Sequence, residues 1–493
     1  MRKLAKLALA ACLAISPVLG LAGCTDDNST GSAQIVKLDP ENPTTITLWH
    51  YYNGSQQEVF EQLVDEFNQS VGAKQGIIVE SSSHGSIADL ETDVIESAQG
   101  AIGADELPDI FSTYIDVASE VLEYTELVNI ADYFTSDELS QYVDAYIQDG
   151  YIASDDNLYV FPVAKSSECL MVSKSDWTKF SKACDVTLDD LSTREGITRV
   201  AQKYYDYTDA QTPDVKDDGK SFYGRDSLAN LFIASFAQMG SNIVEVKDGK
   251  ATLNTSKELY RRVWDSYYVP YVKGYYTAKG KFRSDDVKTG DIIAYTGSTS
   301  SSGYFPSTVQ DDDGKAKSTS AIVCAPPIME GGKNVVIQQG AGMAVTKTDE
   351  LSQYAASIFL KWFTQPSNNL RFVAQAGYLP VTKDANSVEA LDAVIEDNNL
   401  EVSQPVYDTL KAYIENFDST TFYSYPCFKN ATALRDVLED SLSTQASKAK
   451  KAVDKKVAAG TSRSKAISKY TNDEAFEQWY EALMQELQST LDQ

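Results

Sequence analysis

Aromatic rings lie close to carboxylates or to a histidine in the first quarter of the sequence, and that combination suits the capture of a small polyhydroxylated molecule. Trp49, His50, Tyr51 and Tyr52 form one segment, His84 sits between Ser83 and Gly85 in a second, and Tyr114 precedes Asp116 in a third. A flat ring covers the C–H face of a sugar while carboxylates or amides bond its hydroxyls. Gly297 to Gly303, a run of serine and threonine between two glycines, adds a loop whose amides and hydroxyls, Ser298 and Ser300 among them, can reach a ligand. The amides of Gly85, Ser86 and Ile87 open a helix and would attract a carboxylate or phosphate, against the sign of the chain's net charge. His50 and His84 are the only histidines, and no acidic ligand pattern accompanies them, so no metal and no cofactor is expected.

Catalytic signatures are missing: there is no Gly-x-Ser-x-Gly elbow, no His-Glu-x-x-His and no Gly-x-x-x-x-Gly-Lys-Ser/Thr loop. A glycosidase needs two carboxylates across a cleft, and among 71 acidic residues such a pair carries no information. Binding without chemistry is the expectation, with a lipid-anchored glycosidase as the remote alternative.

The elements that must position these residues alternate. Thr45 to Leu48 reads as a strand, and Ser55 with Glu58 offers a capping box for a helix whose Val59, Phe60, Leu63, Val64 and Phe67 share a face. Ile77 to Val79 is a second strand, Ser86 caps a helix carrying Leu90, Val94, Ile95 and Ala98, and Leu107 to Phe111 opens a third strand. Strand and helix in alternation predict a parallel sheet covered by helices, with the ligand beyond the carboxyl ends of its strands. Those ends are the loops Trp49 to Gly54, Ser82 to Ser86 and Ser112 to Asp116. Helical patterns at Leu228 to Met239 and Tyr260 to Tyr268, then a strand at Ile292 to Tyr295, imply a second lobe; Leu351 to Phe363 reads as an amphipathic helix, followed by Leu370 to Ala376 and a break at Gly377.

With 493 residues the chain is too long for one core, and 43% hydrophobic with 23% charged residues describes a folded body. A formal charge of −28 disfavours nucleic acid. Lys448 to Lys469 runs the other way, with Lys448, Lys450, Lys451, Lys455, Lys456, Arg463, Lys465 and Lys469 against Asp454 alone. It reads either as a solvated helix and loop or as a contact for an anionic membrane or partner. At the start, Arg2, Lys3 and Lys6 precede the apolar Leu7 to Leu19, the pattern of a secretory signal. The sequence Leu21-Ala22-Gly23-Cys24 resembles a bacterial lipobox, which makes residues 1–23 a lipoprotein signal peptide, Cys24 the acylated membrane anchor and 24–43 a flexible tether. Cys169, Cys184, Cys324 and Cys427 then remain, with three possible disulfide pairings or none.

Trp49-His50 followed by Gly54, Pro108-Asp109-Ile110-Phe111, and Lys361-Trp362-Phe363 through Ala376-Gly377-Tyr378-Leu379-Pro380-Val381 resemble bacterial extracellular solute-binding proteins of the maltose and glycerol-3-phosphate type. The resemblance implies an α/β fold of two lobes, each a parallel-rich sheet flanked by helices, joined by hinge crossovers and closing on a solute for an ABC transporter permease. It implies residues 44–160 and 292–343 for the first lobe and 161–291 and 344–493 for the second, in a monomer. It also implies solute contacts at Trp49, His50 and Tyr51, at Tyr114 and Asp116, and at Ser166, Ser167 and Glu168 after a crossover at Phe161-Pro162-Val163. Gly340-Ala341-Gly342 resembles the returning hinge turn, with Gly340 and Gly342 at the site. The expected solute is a carbohydrate; glycerol-3-phosphate or a glycerophosphodiester is the alternative. That alternative is weakened because Tyr423 to Lys429 stands where an arginine is expected, with Lys429 or Arg225 as substitutes.

Overall fold

The computed structural model describes residues 37–152, 156–247, 250–311 and 314–493. The expected signal peptide, Cys24 and most of the tether lie outside the described residues. Leu38–Gln493 is one compact unit. Leu38 packs on the first core and the Thr44 amide bonds the Gly76 carbonyl, so the folded body begins at Leu38, ahead of the expected end of the tether.

The first sheet is built by β1 (Thr44–His50), α1 (Gly54–Phe67), β2 (Ile77–Ser83), α2 (Ile87–Ala98), β3 (Ile110–Thr113) and α3 (Ile115–Val121). β1 lies between β2 and β3 and is parallel to both, as the alternation predicts. Phe60, Leu63, Val64 and Phe67 of α1 are buried, each worth roughly 1.5–3 kcal/mol of apolar burial. Ser86 caps α2 by accepting from the Asp89 amide. The expected cap at Ser55 does not form: α1 starts two residues earlier than that cap requires, behind an extended Asn53 that makes no side-chain cap bond.

The second sheet holds β4 (Glu168–Ser173), β5 (Tyr223–Arg225), β6 (Ala294–Ser298) and β7 (Ala321–Cys324), in the order β7-β4-β6-β5, with α4 (Leu228–Gln238) against it. It is mixed rather than parallel-rich, since β4 runs antiparallel to both β6 and β7 and only β5 and β6 are parallel. The chain then returns: β8 (Gly342–Val345) joins the first sheet antiparallel to β3. α5 (Glu350–Phe363), α6 (Pro366–Ala376) and α7 (Gln404–Glu415) add to the first core, where Phe359 and Phe363 meet Phe67 and Phe60. A last crossing leads to α8 (Ala431–Ala458), α9 (Arg463–Ile467) and α10 (Asp473–Leu491), which pack on the core of the second sheet.

The expected division of the chain is therefore redrawn. β6 and β7 lie in the second sheet although 292–343 was expected in the first lobe, and α5 to α7 lie with the first although 344–493 was expected in the second. Hydrophobic pattern marks a buried strand without naming the strand it pairs with. Leu351 and Tyr354 of the expected amphipathic helix α5 are exposed; its buried face runs through Ala355, Ala356, Phe359 and Phe363. The four described cysteines are free thiols.

Candidate functional site

β1 continues through His50, which pairs with Ser83, so Trp49 and His50 are sheet residues and not loop residues. Alternation along the strand sends them to opposite faces. Trp49 is 9% exposed and packs with Leu90, Val94 and Phe111 under α2. His50 is 0% exposed, its ring 4.6 Å from Phe60 and 5.3 Å from Tyr52. Burial, with a smaller contribution from His84, lowers the His50 pKa to about 4, so its imidazole is neutral at pH 7. Tyr52 is equally buried, against Phe372 at 4.9 Å. These three expected contacts are core residues. His84 stands beside Trp49 at 4.5 Å, its Nδ1 2.6 Å from an Asp93 carboxylate oxygen. Among the described residues no cluster of His, Cys, Asp and Glu could hold a metal ion.

Beyond the strand ends a different set converges. The Tyr51 hydroxyl lies 3.1 Å from that of Tyr378, which follows the left-handed Gly377 at the end of α6. Gly377 must be glycine here: a Cβ would come 3.0 Å from the Ser300 Cα, and Ser300 bonds the Tyr378 side chain. The turn after β6 and the end of α6 thus meet at Tyr378. Tyr114, at the start of α3, bonds the Gly340 backbone, and burial, then the Glu91 carboxyl, push its hydroxyl up to about 12. One residue into α3, the Asp116 carboxylate accepts from the Thr432 hydroxyl of α8 at 2.6 Å. Arg435, one turn further along α8, donates to the Asn230 side-chain oxygen at 3.0 Å and stands over the Tyr425 ring at 5.7 Å. The Tyr425 hydroxyl is buried without a partner. Burial first, then the Asp116 carboxylate, raise Glu91 of α2 to about 8, with Arg435 opposing.

The remaining expected contacts hold the crossovers together. The Ser166 backbone exchanges both hydrogen bonds with Gln339, and the Ser167 hydroxyl donates to the Ile337 carbonyl at 2.7 Å. Glu168 is buried in an ion pair with Arg225. A Cβ on Gly342 would meet the Phe161 carbonyl at 2.5 Å, and Gly340, at φ +90°, abuts Ala164 and Lys165; both glycines let crossing strands approach. Ser298 caps the turn after β6 and its hydroxyl lies 3.0 Å from that of Ser300. So Tyr51, Tyr114, Asp116 and Ser300 are brought together, while Trp49, His50, Tyr52, Ser166, Ser167 and Glu168 are buried in the cores and crossovers. Sequence reading missed Glu91, Tyr378, Tyr425, Thr432 and Arg435. Tyr378 had a signal, its place in the Gly-Tyr-Leu-Pro segment; the others sit on helices or a crossover whose neighbours only the fold supplies.

A crossover-linked pair of α/β sheets with polar and aromatic groups converging between them is the geometry of a protein that holds a solute. The model of the bacterial extracellular solute-binding proteins matches residues 62–401. The chain belongs to that family. Members are substrate-binding proteins rather than enzymes, and they deliver small-molecule solutes to ABC importers. No curated sequence matches it. Solved structures share the fold at low identity. The cyclic alpha-maltosyl-1,6-maltose binding protein of Arthrobacter globiformis has a TM-score of 0.61 and 18% identity, over 90% of this chain and 99% of that one. UgpB from Mycobacterium tuberculosis, in complex with glycerophosphocholine, has a TM-score of 0.62 and 16% identity, over 92% and 99%. Lmo0181 from Listeria monocytogenes, in complex with cycloalternan, has 0.62 and 16%, over 90% and 99%. No helix among the described residues of this solute-binding protein is long and apolar enough to cross a membrane.

Proposed function

We propose that this solute-binding protein captures a carbohydrate, a mono- or oligosaccharide, between the strand-end loops of the first sheet and the first turns of α8. The observation that carries the reading is the gathering of Tyr51, Tyr114, Tyr378 and Tyr425 around Asp116 and Arg435 from both sheets. Tyrosine rings suit the apolar faces of a pyranose, and hydroxyls that stay neutral at pH 7 suit its hydroxyls. The binding of cyclic maltosyl-maltose and cycloalternan by two fold relatives supports the same class. The solute draws the lobes together by motion of the crossovers, and the permease takes it from the closed form. The protein acts as a monomer, anchored by acylated Cys24 after removal of residues 1–23.

A second reading, a glycerophosphodiester, is favoured by Arg435 alone. Arg225 is committed to Glu168, and Lys429 is exposed and donates to the carbonyl of Gln493, so neither supplies the expected cation. A thermal-shift screen of Leu38–Gln493 against neutral saccharides, glycerol-3-phosphate and glycerophosphocholine separates the two. A ligand near a hundred times its dissociation constant adds about 2.7 kcal/mol to stability. A shift with one saccharide class that Tyr114→Ala weakens at least tenfold, about 1.4 kcal/mol, supports the first reading. A shift only with glycerophosphates, lost in Arg435→Ala, selects the second.

A further inference from the structure

The basic segment that the solute site leaves unexplained has a defined shape. Lys448, Lys451 and Lys455 are all exposed on α8 and, at 100° per residue, point within about 60° of one another. They lie opposite the line of Leu442, Ala446, Ala449 and Val453 that buries the helix. The single acid of the segment, Asp454, is taken by Lys450 and Arg463 on the flank, at 2.6 and 3.1 Å. Among the described residues no carboxylate comes within ion-pair distance of Lys448, Lys451, Lys455, Lys465 or Lys469. The ammonium groups of Lys456 and Lys469 stand 5.3 and 4.7 Å from the centre of one ring, that of Tyr470, so like charges are collected where a carboxylate would relieve them.

On a chain of formal charge −28 such a face is the local reverse of the whole. We propose that the outward face of the last three turns of α8, with α9 and Lys469, docks on the anionic phospholipid surface of the membrane. The complementarity is electrostatic and short in range: at physiological ionic strength the screening length is about 8 Å, so lysines in contact attract phosphate groups while the distant carboxylates are screened. Each lysine near such a surface contributes about 1 kcal/mol, or roughly fivefold in binding. Arg435 and Lys455 lie on the same helix about 30 Å apart at 1.5 Å per residue, so the docking face is well separated from the solute site.

The test is sedimentation of Leu38–Gln493, which lacks the expected lipid anchor, with vesicles of phosphatidylcholine and of phosphatidylcholine mixed with phosphatidylglycerol. Binding is expected only to the mixture and is expected to vanish near 1 M salt, where screening falls to about 3 Å. The triple variant Lys448→Gln, Lys451→Gln, Lys455→Gln should bind about a hundredfold more weakly while keeping its melting temperature and any response to solute. Equal sedimentation with both vesicles, or binding unchanged in the triple variant, overturns the proposal. Binding to soluble polyglutamate with none to the mixed vesicles also overturns it and assigns the face to an acidic protein.

Discussion

Two regions of the molecule, the strand ends of the first sheet and the buried ion pairs of the second, handle enclosed polar groups in opposite ways. At the strand ends of the first sheet three groups are held uncharged: His50 is neutral among aromatic rings, half-buried Glu91 is pushed up to about 8, and the half-buried Tyr114 hydroxyl to about 12. On the strands and turns of the second sheet, two buried pairs are held charged: Glu168 with Arg225, and Arg283 with Asp286. A buried charge is tolerated when a partner is fixed against it, and a buried neutral group when its proton is shifted. The first region should therefore respond to pH and the second to loss of a partner.

The largest effects come from testing that contrast directly. Arg225→Met strands the Glu168 carboxylate and is expected to cost roughly 3–5 kcal/mol in urea unfolding at pH 7. Trp49→Ala opens a cavity under α2 and is expected to cost about as much, roughly 3–5 kcal/mol, through packing alone. His50 comes next. Its folded pKa is about 4 against 6.5 unfolded, so stability is full above pH 6.5 and falls as pH drops towards 4. The loss approaches about 3 kcal/mol, and His50→Leu should remove it. Glu91 acts with the opposite sign: its folded pKa, raised from 4.5 to about 8, means stability declines as pH rises through that window. Denaturation curves of Glu91→Gln should be flatter there than those of the parent. The smallest effect belongs to Tyr51→Phe, which removes one hydroxyl contact with Tyr378 and about 1 kcal/mol. A parent whose stability did not fall between pH 6.5 and 4, or an Arg225→Met variant as stable as the parent, would erase the distinction between the two regions.

Local pattern reported local structure well. The helix face from Phe60 to Phe67, the Ser86 cap, the break at Gly377 and the parallel β1, β2 and β3 were all legible, because side-chain period and capping chemistry act within a few residues. What lay beyond reach was non-local. That β6 pairs with β4 and not with the first sheet depends on strand partners far apart in the chain. The same limit explains the site. Trp49 and His50 were expected in a loop because the strand was read as ending at Leu48, two residues early, and that slip converts core side chains into apparent solute contacts. Thr432 and Arg435 carried no local sign, since a helix interior gives no hint that its first turns reach Asp116.

The return of the chain to its first sheet has a consequence for how the protein is made. β8 closes the free edge of β3, pairing Gly342 with Thr113, only after every strand of the second sheet has been laid down. A chain that has emerged as far as the residues before Gly342 carries β3 as a bare edge, able to pair with any passing strand. Pairings separated so widely in sequence close slowly. Closure of the first sheet thus waits on the strands of the second, and that interval is when a new chain is most exposed to aggregation and proteolysis.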